Sequence, residues 1–120
     1  MESDKQMKIL YLDDDPDQLE FAVEMLAEHA RVTTARNPKE ALEQLREETF
    51  DLLVTDIIMP GSCGIDFAKK VQVDYPELPM VAVSGAGLQC RQQLSQELQA
   101  VFMDFLEKPN TWTELRQRWL

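Results

Sequence analysis

Asp51-Leu52-Leu53-Val54-Thr55-Asp56-Ile57-Ile58-Met59-Pro60-Gly61 is an apolar run that ends in an acid and is followed by a Pro-Gly turn. A run of this length with apolar residues at successive positions reads as a strand buried on both faces, as in a parallel sheet. The turn after it leaves Asp56 at the strand's carboxyl end. An ionised carboxylate there is costly unless it is paired, hydrated or bound to a metal. Three other apolar runs also lead to chemically active side chains. Ile9-Leu10-Tyr11-Leu12 leads into Asp13-Asp14-Asp15, Met80-Val81-Ala82-Val83 into Ser84, and Val101-Phe102-Met103-Asp104-Phe105-Leu106 comes close to Lys108. As parallel neighbours, these strands would bring carboxylates, a hydroxyl and an ammonium to one edge of a sheet.

The stretches between the runs read as helices. Asp15-Pro16-Asp17-Gln18 and Asn37-Pro38-Lys39-Glu40 each carry a cap, a proline at the first helical position and a capping-box residue. Leu19, Ala22, Val23 and Leu26 form the apolar stripe of a first helix reaching about His29, whose place near the helix end suits a favourable terminal charge. Ala41, Leu42 and Leu45 form the stripe of a second helix ending near Glu48. Arg31 to Thr34 lies between them as a strand. A third helix is expected from about Ile65 to Asp74, stopping before Pro76. A weakly amphipathic fourth spans Leu88 to Gln99, after the glycine-rich Ser84-Gly85-Ala86-Gly87. Thr111-Trp112-Thr113-Glu114 caps a short fifth with Trp112, Leu115 and Trp119 on one face. Five strands alternating with five helical patterns imply an α/β fold, a doubly wound five-stranded parallel sheet with ligands outside the strands' carboxyl ends.

With 120 residues the chain is sized for one domain, expected over 8–120 after a disordered segment 1–7. Twenty-two acids against twelve Lys and Arg give a formal charge of −10, which disfavours nucleic acid or an anionic membrane as direct ligand and favours cations and basic partners. The sequence has no apolar run long enough for a membrane span and no secretory signal. Cys63 and Cys90 form neither a metal spacing nor a disulfide scaffold. A cytoplasmic protein without zinc is the expectation.

Asp13 to Asp15 and Asp56 would repel one another at one strand edge unless a hard divalent cation neutralises them, and a carboxylate-only donor set suits Mg2+. Aspartate is also a preferred helix cap, so the triplet alone reads equally well as a cap with solvated neighbours. Ser84 and Lys108, taken singly, read as an ordinary turn residue and a solvated lysine. A carboxylate can also attack phosphorus to give an acyl phosphate, which makes Asp56 a candidate nucleophile.

In this combination and order the residues resemble the receiver domains of two-component response regulators, over Lys8 to Leu120. The acidic pair matches Asp13 and Asp14, the phosphoacceptor Asp56, the switch hydroxyl Ser84, and the Lys-Pro motif Lys108-Pro109. The resemblance implies a flavodoxin-like (βα)5 fold with strand order 2-1-3-4-5. It further implies transfer of a phosphoryl group to Asp56 from a histidine kinase or phosphotransfer protein. Mg2+, or Mn2+, would be held by Asp14, Asp56 and the backbone carbonyl of Ile58, with Asp13 helping to place it. Ser84 and Lys108 would contact the phosphoryl oxygens. Phe105 would turn with the switch, although an aromatic in a terminal strand is also ordinary core. Pro60, Gly61 and Pro109 would set loop geometry. The surface of the fourth helix, fifth strand and fifth helix would change partner preference, and it is also the surface a homodimer would use.

On this reading the chain is a regulatory domain, an enzyme only in catalysing its own phosphoryl transfer and slow hydrolysis. Ile58 and Ala86, at positions lining the family's approach to the phosphoryl group, cannot orient a water, so slow self-dephosphorylation is expected. Asn110, Gly85 and the short last helix depart from the family pattern and bear on the output surface. Two other readings compete. Leu12-Asp13-Asp14-Asp15 also resembles the start of a haloacid-dehalogenase-type phosphatase with Asp13 as nucleophile and Asp15 as acid, but only Glu114 follows Lys108 as an acidic metal ligand. The other is a receiver-like interaction module that is never phosphorylated. A flavin-binding flavodoxin is disfavoured because the first-loop acids would repel a phosphate.

Overall fold

The computed structural model describes residues 6–59, 62–84, 100–107 and 111–120, without the side chains of residues 58, 59, 62–64, 84 and 107. The expectations for a disordered start, the Pro60-Gly61 turn, the glycine-rich loop, the helix over 88–99 and Lys108-Pro109 therefore lie outside the described residues or reach beyond them.

The main sheet has five parallel strands: β1 (Met7–Leu12), β2 (Ala30–Ala35), β3 (Leu52–Asp56), β4 (Met80–Ser84) and β5 (Asp104–Glu107). Their order is β2-β1-β3-β4-β5, the order the family resemblance implied. Ile58–Met59 and Ser62–Cys63 form a separate two-residue antiparallel ribbon beyond the end of β3. The described helices are α1 (Pro16–Leu26), α2 (Pro38–Glu47), α3 (Gly64–Asp74) and α4 (Thr111–Trp119).

Side chains alternate across the central strands and so feed two separate cores. Leu10, Leu12, Leu53, Ile57 and Ala82 pack with α2 and α3 residues such as Ala41, Leu45, Phe67 and Val71. Ile9, Tyr11, Leu52, Val54, Val81, Val83 and Leu106 pack on the opposite face with Leu19, Ala22 and Leu26 of α1 and Leu115 of α4. Every residue of β3 is buried, which is why its sequence is apolar rather than alternating. The helix starts follow their cap signals. Asp15 Oδ1 accepts from Asp17 N at 2.9 Å, Asn37 Oδ1 from Glu40 N at 2.9 Å, and Glu40 Oε1 returns to accept from Arg36 N at 2.9 Å.

Three expectations are corrected. Helix α1 ends at Leu26, and His29 lies beyond it with its backbone N donating to Leu26 O at 2.9 Å. Val23 is 41% exposed, because Leu19, Ala22 and Leu26 alone fill the contact of α1 with the sheet. Strand β5 starts at Asp104 rather than Val101. Val101 and Phe102 are apolar because they are buried in the α2–α3 core ahead of the strand, while Met103 is 68% exposed.

Candidate functional site

The register of the central strands places the acids. Leu12 pairs with Thr55 across β1 and β3, and Asp56 pairs with Val83 across β3 and β4. Asp13 and Asp56 therefore emerge at adjacent carboxyl ends, and the backbone holds them there. Asp13 N donates to Ala35 O at 3.1 Å, and Ile57 N to Val83 O at 3.0 Å. Thr55, itself fully buried, donates from Oγ1 to the carbonyl of Asp56 at 3.0 Å.

Asp13, Asp14 and Asp56 each present a carboxylate oxygen within 4.8 Å of the other two. Asp13 and Asp56 are buried and Asp14 is exposed. Two buried acids at this spacing repel by several kcal/mol, in order-of-magnitude terms, when both are ionised. The donor set is all oxygen and its one exposed member faces solvent, which fits a hard cation that retains waters. The third aspartate of the triplet stands apart, since Asp15 uses its carboxylate to cap α1 while its backbone N donates to Asp13 Oδ1 at 3.0 Å. That commitment removes the acid the phosphatase-like reading assigned to Asp15.

Of the other residues singled out in the sequence, Phe105 is partly buried against the α2–α3 core. Ser84 closes β4, paired in register with Glu107. Ile58 lies in the short ribbon, paired with Cys63. The side chains of Ser84 and Ile58 are not described, and Lys108, Pro60, Gly61 and Pro109 lie outside the described residues.

Residues absent from that set also bear on the site. Tyr11 is 1% exposed, and its phenol is held well above its usual ionisation range, first by burial and then by the charges of Asp13 and Asp56. Its neighbour Trp112 eases that resistance slightly, yet neither Tyr11 Oη nor Trp112 Nε1 completes a hydrogen bond among the described residues. The signal for Tyr11 was its spacing, two residues before Asp13 and so on the same strand face. A groove of about 430 Å³ lined by Leu45, Glu48, Phe50, Tyr75 and Leu78 lies where β3 and β4 begin, the opposite end of the sheet, and has no part in the acid cluster.

Residues 9–119 match the response regulator receiver domain family. The chain belongs to that family. This receiver domain is 36% identical over 112 residues to the response regulator protein PilR of Pseudomonas aeruginosa, an alignment that covers 92% of this chain and 24% of PilR. The chain thus spans about a quarter of that relative's length. Among solved structures, the chemotaxis protein CheY4 of Vibrio cholerae superposes with a TM-score of 0.84 at 27% identity, covering 97% of this chain and all of that one. TrrA of Thermotoga maritima, solved in complex with Mg2+ and BeF, superposes with a TM-score of 0.80 at 27% identity, covering 94% and 96% of the two chains. No helix among the described residues is long and apolar enough to cross a membrane.

Proposed function

We propose that this receiver domain accepts a phosphoryl group on Asp56 from a phosphohistidine of a kinase or phosphotransfer protein. The observation that carries the reading is the convergence of Asp13, Asp14 and Asp56 within 4.8 Å at the carboxyl ends of β1 and β3. An Asp56 carboxylate oxygen attacks phosphorus, the new O–P bond replaces the donor's N–P bond, and the imidazole leaves with a proton. Asp13, Asp14, Asp56 and the Ile58 carbonyl are the groups that would hold Mg2+, or Mn2+ in its place. When bound, the ion supplies positive charge against the repulsion of acids and phosphoryl oxygens.

By the family resemblance, Lys108 and the Ser84 hydroxyl contact the remaining phosphoryl oxygens, Phe105 takes part in the switch, and Pro60, Gly61 and Pro109 shape the loops. The acyl phosphate carries about two negative charges where the Asp56 carboxylate carried one, beside groups already crowded with acids, and that change is the perturbation a switch uses. Hydrolysis of the acyl phosphate is slow because neither Ile58 nor Ala86 can orient a water. The domain spans 8–120, works in the cytoplasm, and passes its state to a protein partner or an attached output domain. A homodimer would use the fourth helix, fifth strand and fifth helix.

Intact mass after incubation with acetyl phosphate, with and without Mg2+, tests the core of this. One phosphoryl group should appear only with Mg2+ and vanish in Asp56→Asn. Labelling that survives Asp56→Asn but is lost in Asp13→Asn would favour the phosphatase-like chemistry. No labelling would favour an interaction module that works unphosphorylated. A phosphoryl half-life of seconds would overturn the slow hydrolysis.

A further inference from the structure

Three buried polar atoms, Tyr11 Oη, Trp112 Nε1 and Thr111 Oγ1, carry no hydrogen bond among the described residues. Such groups are rare in folded proteins and each asks for a physical account. Two of the three belong to the first turn of α4, and the third lies beneath the acid cluster. Tyr11 is the register partner of Val54, so Asp13 and Asp56, each two residues further on, follow on the same face of the sheet. The phenol thus lies on the face of the sheet from which both acids emerge.

Trp112 packs in the same core as the phenol, and its ring lies against Phe21 of α1 with centroids 6.0 Å apart at 52°. Phe21 is 49% exposed, so this contact leads from the buried phenol to the surface. The two ends of α4 are held differently. At its carboxyl end, Trp119 Nε1 donates to Asp104 Oδ2 at 2.9 Å and Arg118 Nη1 to Asp104 Oδ1 at 2.8 Å. At its start, Thr111 and Trp112 carry side-chain donors without a partner among the described residues, so the first turn is the end with interactions still to gain.

Resting on the phosphoacceptor reading above, we propose that Tyr11 is a positioning residue that passes the charge state of Asp56 to Trp112 and the first turn of α4. Added negative charge at Asp56 draws the Tyr11 O–H toward the acids and turns an Oη lone pair toward the indole N–H of Trp112. The hydroxyl then donates on one side and accepts on the other, and each bond polarises and strengthens its neighbour. The indole closes on the phenol and its packing against Phe21 changes. The α1–α4 face thereby becomes a second surface that differs between the two states, built from different residues than the one containing Phe105.

The test follows the two indole Nε1–H resonances of 15N-labelled protein, assigned with Trp119→Phe, with Mg2+ present throughout, before and after adding beryllofluoride. In the native sequence the Trp112 resonance should move downfield and its hydrogen exchange should slow, while Trp119 stays in place. In Tyr11→Phe, which removes only a hydroxyl that completes no hydrogen bond among the described residues, Trp112 should stay in place although acetyl phosphate still adds one phosphoryl group. An equal Trp112 shift in Tyr11→Phe would overturn the proposal. So would an unmoved, unslowed Trp112 in a native chain shown by mass to be phosphorylated, a readout that needs no variant. Absence of phosphorylation in the native chain would instead sink the phosphoacceptor reading, and this coupling with it.

Discussion

Replacing Asp13 by Asn should stabilise the domain in magnesium-free buffer, although Asp13 is buried and hydrogen-bonded. Its carboxylate lies within 4.8 Å of those of Asp56 and Asp14. Two unit charges at that distance repel by about 3–4 kcal/mol at an effective dielectric near 20. The Asp56 term applies nearly in full because both groups are buried, whereas exposed Asp14 is screened and adds little. Against this, Asp13 Oδ1 accepts from Asp15 N at 3.0 Å, and Asn keeps an oxygen there while losing about 1 kcal/mol of charge assistance. Asp13 and Asp56 both have other polar partners, which offset part of the repulsion. The net gain is then about 1–3 kcal/mol. At roughly 4 °C per kcal/mol for a chain of this size, thermal unfolding in EDTA should shift up by roughly 4–12 °C. Added Mg2+ should raise the native Tm, by about 2.7 kcal/mol of stability at one hundred times Kd, and raise that of Asp13→Asn much less. A lower Tm for Asp13→Asn in EDTA, or an equal response of both chains to Mg2+, would refute the reasoning, since either means the acids do not repel in the way their spacing implies.

Other perturbations test the scaffold. Asp104 accepts from Phe105 N at 2.8 Å as well as from Arg118 and Trp119, so Asp104→Ala should cost about 2–3 kcal/mol. Trp119→Phe should cost about 1 kcal/mol, and a double-mutant cycle should show coupling near that size, whereas strict additivity would deny the bond any role. Because the Tyr11 phenol is held above its ordinary ionisation range, its contribution to stability is full below about pH 10 and lost as the pH rises beyond it, when the unfolded chain ionises first. Urea midpoints should therefore fall less steeply above pH 10 in Tyr11→Phe than in the native chain. At the other end of the scale, Lys8 Nζ bonds Glu48 Oε1 at 2.7 Å and lowers the Glu48 carboxyl pKa. The stability this adds is present above the ordinary carboxylate range and lost as the pH falls through the lowered pKa. Glu48→Gln should flatten that part of the acid limb, and added salt should shrink the difference between the two chains. Asn37→Ala, which removes the α2 cap, should cost about 1 kcal/mol by thermal unfolding.

The strands were legible where burial on both faces forces an apolar run, as in β3 and β4, and the helix starts where a cap and a proline coincide. Apolarity reports burial, however, and only indirectly extension. That is why Val101 and Phe102 read as strand although β5 begins at Asp104. The acid cluster was legible because Asp13, Asp14 and Asp56 end strands whose parallel pairing follows from the alternating pattern. That Asp15 would leave the cluster was written in its own cap signal, the Pro16 after it. Tyr11 was passed over because in Ile-Leu-Tyr-Leu it reads as one more core residue, and only the β1–β3 register shows it below both acids. Nothing local marked the Asp104 clamp, since its partners lie 14 and 15 residues on and meet it only once α4 is docked.

The two cores give a charge at Asp56 two directions in which to act. Phe105, the aromatic the family resemblance singles out, pairs in register with Ala82 and packs on the α2–α3 side. Tyr11 packs on the α1–α4 side, among residues that share no member with the other cluster. A rearrangement of Phe105 therefore repacks one layer and leaves Trp112 to be moved by something else. The acids themselves stand on Tyr11's face of the sheet, and the phenol is a buried polar group of the α1–α4 core without a hydrogen bond among the described residues. Field and unmet donors thus coincide on one side chain. A change at the surface of α1 can arise there without passing through β5, so Tyr11→Phe and a Phe105 variant should impair different surfaces of the same phosphorylated domain.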